Sequence, residues 1–149
     1  GLPDERSARR VPNALLAARL NEPYPIRVLC DPVPVDSFLW RPYMTRHHQN
    51  MPWQYHNGGI WPFVGGFWIL ALLACGMRSR AQAELESLAR ANQLGNWAFN
   101  EWLHGETFKP CGMARQSWNA GAFLLAWHAV NEHAIVFPGI GHPHGGARA

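Results

Sequence analysis

The sequence predicts an all-α fold of about four helices arranged as antiparallel hairpins, on three observations. Two long segments, Gly59 to Gly76 and Arg115 to His133, carry almost no charge and read as inner helices. Two others, near Pro3 to Leu20 and Ser79 to Asn92, set apolar residues at helical spacing and charges elsewhere, as outer helices do. The connections alternate between one tight turn and long proline- or glycine-rich stretches that leave room only for short strand pieces.

The first helix starts with Asp4 as N-cap and ends near Leu20, with Val11, Ala14, Leu15 and Ala18 as its inward stripe and Pro12 as a kink or later start. Between Asn21 and Gln54, Pro23, Pro25, Pro32, Pro34, Pro42 and Pro52 forbid a long helix, leaving one short strand at Ile26 to Leu29. So long an irregular connection is expected to build a binding surface. The second helix spans Gly59 to Gly76. Its charge-free run, Ile60 to Met77, just reaches the length of a membrane span. Pro62, the Gly65-Gly66 pair and the lack of a flanking basic cluster place it inside a helical protein instead. A turn at Gly76 to Ser79, with Ser79 as N-cap, leads to the third helix, where Ala81, Leu85, Leu88 and Ala89 face inward and Glu84, Glu86 and Arg90 face water. Asn92 to Gly95 ends it. Asn96 to Met113 is irregular, with strand pieces at Trp97 to Phe99 and Pro110 to Met113 around a Gly105 turn, and the fourth helix follows. The glycine- and proline-containing end reads as a disordered tail, 136–149, behind one domain, 2–135. Four helices do not close a double layer of hairpins, so the chain reads as a piece of something larger.

Composition narrows the function classes. At 149 residues, 48% hydrophobic and 15% charged, the chain is one apolar but foldable domain. Its net charge of +3 comes from dispersed arginines without an aromatic platform, which argues against nucleic acid as a partner. Cys30, Cys75 and Cys111 form no Cys-x-x-Cys pair, so neither a disulfide framework nor a zinc knuckle is expected, and a reducing, cytoplasmic setting is. No signal peptide opens the chain, and a first residue other than Met reads as processing, trimming or a fragment. The histidines, among them His47-His48 and His142-Pro143-His144, have no carboxylate or cysteine at ligand spacing, so no metal and no cofactor is expected. Ser117 follows no nucleophile elbow, and Cys111 has no base partner.

The most informative block is Gln54-Tyr55-His56-Asn57-Gly58-Gly59-Ile60-Trp61-Pro62-Phe63. Polar side chains that converge on hydroxyls, aromatic faces that cover C–H surfaces and glycines that admit the backbone suit a sugar. The same residues also read as a helix entry, Asn57 being the cap and the aromatics core. Among the carboxylates, Glu101 stands between Asn100 and Trp102, ahead of the helix opening Arg115-Gln116-Ser117-Trp118. Partly desolvated there, it could take a proton from water as the base of an inverting glycosidase. Spacing alone favours the plainer reading, a loop carboxylate bonded to a neighbouring amide.

Together the block from Gln54 to Phe63 and the block Asn100-Glu-Trp-Leu-His-Gly-Glu-Thr-Phe-Lys-Pro-Cys-Gly-Met-Ala-Arg-Gln-Ser-Trp118 resemble the C-terminal part of the (α/α)6-barrel inverting glycoside hydrolases. The resemblance covers about Leu2 to His133. It is nearest to bacterial amylo-α-1,6-glucosidase and glycogen-debranching-like proteins, close to alkaline/neutral invertases and mannosylglycerate or glucosylglycerate hydrolases. It implies an incomplete (α/α)6 toroid in which Glu101 is the general base and Tyr55, His56, Asn57, Gly58, Trp61, Gln116 and Trp118 line the sugar pocket. The general acid of these families is an aspartate several hairpins earlier, which neither Asp31 nor Asp36 matches. Phe108 and Cys111 stand where the family has smaller residues. Twelve helices of about 15 residues with their connections need roughly 300 residues. The expected function is therefore the base-bearing segment of a hydrolase acting on α-glucosides or related sugars, completed by self-association or by a missing N-terminal half. The alternatives are a non-catalytic carbohydrate-binding or assembly remnant and, from the run at Ile60 alone, a small membrane-associated protein.

Overall fold

The structure is a computed structural model that describes residues 5–131. The Asp4 cap and the 136–149 tail lie outside those residues. In chain order the elements are α1 (Glu5–Ala17), α2 (Pro42–Thr45) with a 3-10 turn (Arg46–His48), α3 (Pro62–Ala74), α4 (Arg78–Trp97), β1 (Trp102–Leu103), β2 (Pro110–Cys111) and α5 (Ser117–Asn131). The fold is the mostly helical, hairpin-built part of a toroid, and the described helices do not close a ring.

α3 is the hub, packing on both α4 and α5, which also meet each other. Its sequence explains this. Ile69 and Leu72 are fully buried with Leu88 of α4, and burying each such side chain contributes about 1.5–3 kcal/mol. Gly66 lets α5 come close, because a Cβ there would lie 2.7 Å from the Ala122 carbonyl oxygen and 2.8 Å from its Cβ. The expectation of burial on all sides is corrected on one face. Val64 and Phe67 of α3 and Trp118, Leu124 and Trp127 of α5 are exposed, because the described elements cover only the other sides.

Several boundaries move for physical reasons. α3 starts at Pro62 rather than Gly59, since Ile60 and Trp61 spend their amides on extended pairing and Pro62 has none to lose. α4 starts at Arg78 behind Met77, so Ser79 is inside the helix and not its cap. Helical dihedrals end at Leu94, and Gly95 takes the left-handed turn expected of that stretch. Helix α1 keeps Pro12 inside and buries it. Its packed side is Ala8, Pro12, Leu15 and Leu16, whereas Val11, Ala14 and Ala18 are exposed. Glu84 does not face water: it is 3% exposed and accepts a 2.7 Å bond from the Asn21 amide. One turn further along α4, Ser87 Oγ donates to the Pro23 carbonyl at 3.0 Å, so α4 holds the Asn21 to Pro23 turn at two points.

The long connections meet in a narrow antiparallel ribbon. Arg27 pairs with Ile60, Ile60 with Leu103, and Leu103 with Pro110. The strand expected at Ile26 to Leu29 is reduced to that one bridge at Arg27. The strand expected at Trp97 to Phe99 is not one: both aromatics have positive φ, and the Ala98 and Phe99 carbonyls accept from the Arg115 and Gln116 amides at the entry to α5. Pairing falls instead on Trp102–Leu103.

Candidate functional site

Ile60 exchanges both backbone bonds with Leu103, at 2.9 and 2.8 Å, and this register brings the two sequence blocks side by side. Tyr55 stacks on His56, with ring centroids 4.2 Å apart, and stands edge-on to Trp61 at 4.9 Å and to Trp102 at 6.0 Å. The Trp61 indole donates to the Tyr55 carbonyl at 3.1 Å, which fixes the turn. Trp61 and Trp102 are buried, Tyr55 is half-buried and His56 is exposed. The group therefore has a rigid base and an open edge. A cleft of about 310 Å³ opens beside His56 and Asn57, walled by Tyr43, Met44 and Asn50.

Glu101 is half-buried at the other end of Trp102. Its amide donates to the Met113 carbonyl at 2.9 Å, and the Met113 amide donates back to Glu101 Oε2 at 3.0 Å. Only that oxygen is engaged among the described residues. Gly112 makes the arrangement possible: its φ is +69°, and a Cβ would collide with Glu101 Oε2 and lie 2.8 Å from the Trp102 indole. Behind the carboxylate, buried Asn119 donates to the Asn100 carbonyl, and Asn100 Nδ2 donates to the Leu94 carbonyl at 3.0 Å. Glu101 is thus tethered to α4 and α5 at once.

Of the residues expected in the site, Tyr55, His56 and Trp61 come together, and Trp102 joins them to Glu101. Asn57 is buried and occupied in support: it accepts from the Val33 amide at 2.8 Å and donates to the Val33 and Asn50 carbonyls, each at 3.0 Å. It does not cap a helix. Gly58 is buried behind the cluster, against Pro32 and Trp53. Gln116 directly precedes α5, its carbonyl accepting from the Asn119 and Ala120 amides. Trp118 is exposed and meets Phe63, 6.1 Å between centroids, so it is connected through the start of α3. Sequence reasoning missed Trp102 and the Met113 amide as members of the site. The signal for Trp102 was its place directly after Glu101, whereas a backbone donor twelve residues away leaves no trace in residue types.

Burial pushes the Cys111 thiol above its ordinary range, which keeps it protonated and unsuited to nucleophilic attack. Among the described residues no group of three metal-ligating side chains is assembled. No described helix is long and apolar enough to cross a membrane.

Helical hairpins that carry an aromatic wall and one held carboxylate on a shared loop layer fit a piece of an incomplete α/α toroid. The chain belongs to the alkaline and neutral invertase family, whose model matches residues 16–133. It is 32% identical over 107 residues to probable alkaline/neutral invertase D of Arabidopsis thaliana, covering 68% of this chain and 19% of that protein. It is 24% identical over 109 residues to probable alkaline/neutral invertase A, chloroplastic, of the same plant, covering 72% and 17%. Neutral/alkaline invertase 1, mitochondrial, of Oryza sativa subsp. japonica is 28% identical over 86 residues, covering 57% and 14%. The chain spans less than a fifth of the length of these relatives.

Proposed function

We propose that this chain is the base-bearing wall of an inverting glycoside hydrolase acting on α-glucosides or related sugars. The observation that carries it is Glu101, held by the Met113 amide with one oxygen left open, next to the Tyr55, His56, Trp61 and Trp102 wall. In this reading the aromatic faces cover the C–H side of a sugar ring, and Glu101 Oε1 takes a proton from water as that water attacks the anomeric carbon. The leaving oxygen needs an acid roughly 6.5–9.5 Å from the base. That acid is assigned to the hairpins that would complete the ring. The family supports a sucrose-type substrate first; an α-1,6-linked glucoside is the other specificity the motifs resemble.

The test is hydrolysis of sucrose, maltose and an α-1,6-linked disaccharide by the chain joined to, or complemented with, the remaining hairpins. Inversion at the anomeric carbon, followed by NMR, is expected; retention would sink the reading. The second reading, a non-catalytic sugar-binding module, is favoured by saturable sugar binding without turnover in that same complemented protein.

A further inference from the structure

A second cleft, of about 400 Å³, is lined by Ala18, Arg19, Glu22 and Pro23 after α1, by Arg27 and by Phe108 of the turn before β2. Its charges are unevenly satisfied. Arg19 donates to Glu22 Oε2 from Nε at 2.8 Å and also from Nη2, so that pair is closed on itself. Arg27 has no such partner. Its guanidinium carbon lies 5.1 Å from the centroid of the Trp53 ring, its Nε is buried without a hydrogen bond, and no carboxylate pairs with it among the described residues. Two arginines against one glutamate leave the lining with one positive charge in excess.

A planar guanidinium braced on an indole is preorganised to present its fork to an oxyanion, because stacking removes the entropy of ordering it. The cleft is also wider than a bare oxyanion needs and lies in the range that holds small organic ligands. Phe108, fixed edge-on to Tyr24 at 6.3 Å, adds a flat apolar wall. We propose that this cleft binds a phosphate group carried on a small molecule, with Arg27 as its principal contact and Phe108 covering the carrier. The site is distinct from the Glu101 cluster and does not depend on the hydrolase reading.

Calorimetry on the 149-residue chain at low ionic strength tests this with inorganic phosphate, glucose 6-phosphate, glucose and acetate. Both phosphates should bind saturably, glucose 6-phosphate the tighter, and added salt should weaken them. Arg27→Gln should cost at least about tenfold in phosphate affinity, and Arg27→Lys less. Glu22→Gln, which frees Arg19, should tighten binding about threefold or more, a gain that misfolding cannot produce. Arg27→Gln should leave the affinity for unphosphorylated sugar unchanged, which separates failure here from failure of the hydrolase reading. No saturable phosphate binding by the folded wild-type chain, or equal affinity in Arg27→Gln, would overturn the proposal. Equal inorganic and ester phosphate affinities would overturn the role of Phe108.

Discussion

The Met113 amide on Glu101 Oε2 and the missing side chain of Gly112 are two halves of one device. Gly112→Ala would push the carboxylate off its donor and press on Trp102, and in the role proposed for Glu101 a misplacement of about 1 Å costs about 100-fold. Turnover of the complemented protein should fall by that order while the helical signal in circular dichroism stays. Asn57 carries a different load. Asn57→Ala strands the half-buried Val33 and Asn50 groups, and about 1–2 kcal/mol of stability should be lost in denaturant unfolding. Glu84 gives a pH signature. Burial raises its pKa, opposed by the bond from Asn21 and by the charge of Arg80. A carboxyl whose folded pKa exceeds its unfolded value stabilises the fold below the unfolded value and loses that contribution as pH rises through the folded one. Glu84→Gln keeps an acceptor for Asn21, so the variant should be the more stable at pH 7 and match wild type below about pH 4.3. A constant difference across that range would contradict the assignment. At this scale the sequence was legible for Tyr55, His56 and Trp61 as neighbours, because they lie within one short block whose turn brings their rings together. It misled for Glu84, because helical spacing cannot show that the Asn21 to Pro23 turn folds back over that face.

Helices α3 and α5 meet where Gly66 faces Ala122, behind the Ile60–Leu103 pairing that sets the two site blocks side by side. Gly66→Val should cost about 1–3 kcal/mol, since backbone stands where the new side chain would go. A melting temperature equal to wild type would show that the helices are free to separate. Helix type and order were readable from periodicity and charge, because those patterns record which faces are apolar. The ends were not. α3 waits for Pro62 because the ribbon claims Ile60 and Trp61, and pairing between segments some forty residues apart leaves no local mark. The packed face of α1 was misread for a related reason: Pro12, taken as a kink or later start, is a buried contact.

At the scale of the whole molecule, an apolar face remains on α3 and α5: Val64, Phe67, Trp118, Leu124 and Trp127 are each more than a third exposed. Patches of this kind on a soluble chain mark an interface or drive association. Size-exclusion chromatography with light scattering should therefore give a mass above that of one chain, falling toward it when Phe67→Glu and Trp127→Glu are combined. A sharp single-chain peak for the wild type would mean that this face needs no cover. The family match and the loop layer both point to a ring that these residues help to wall. The most direct measurement is the turnover of Glu101→Gln in the complemented protein, with sugar binding followed in parallel. The account predicts a loss of about three orders of magnitude in rate with binding retained. Turnover near that of the unmodified protein would contradict it.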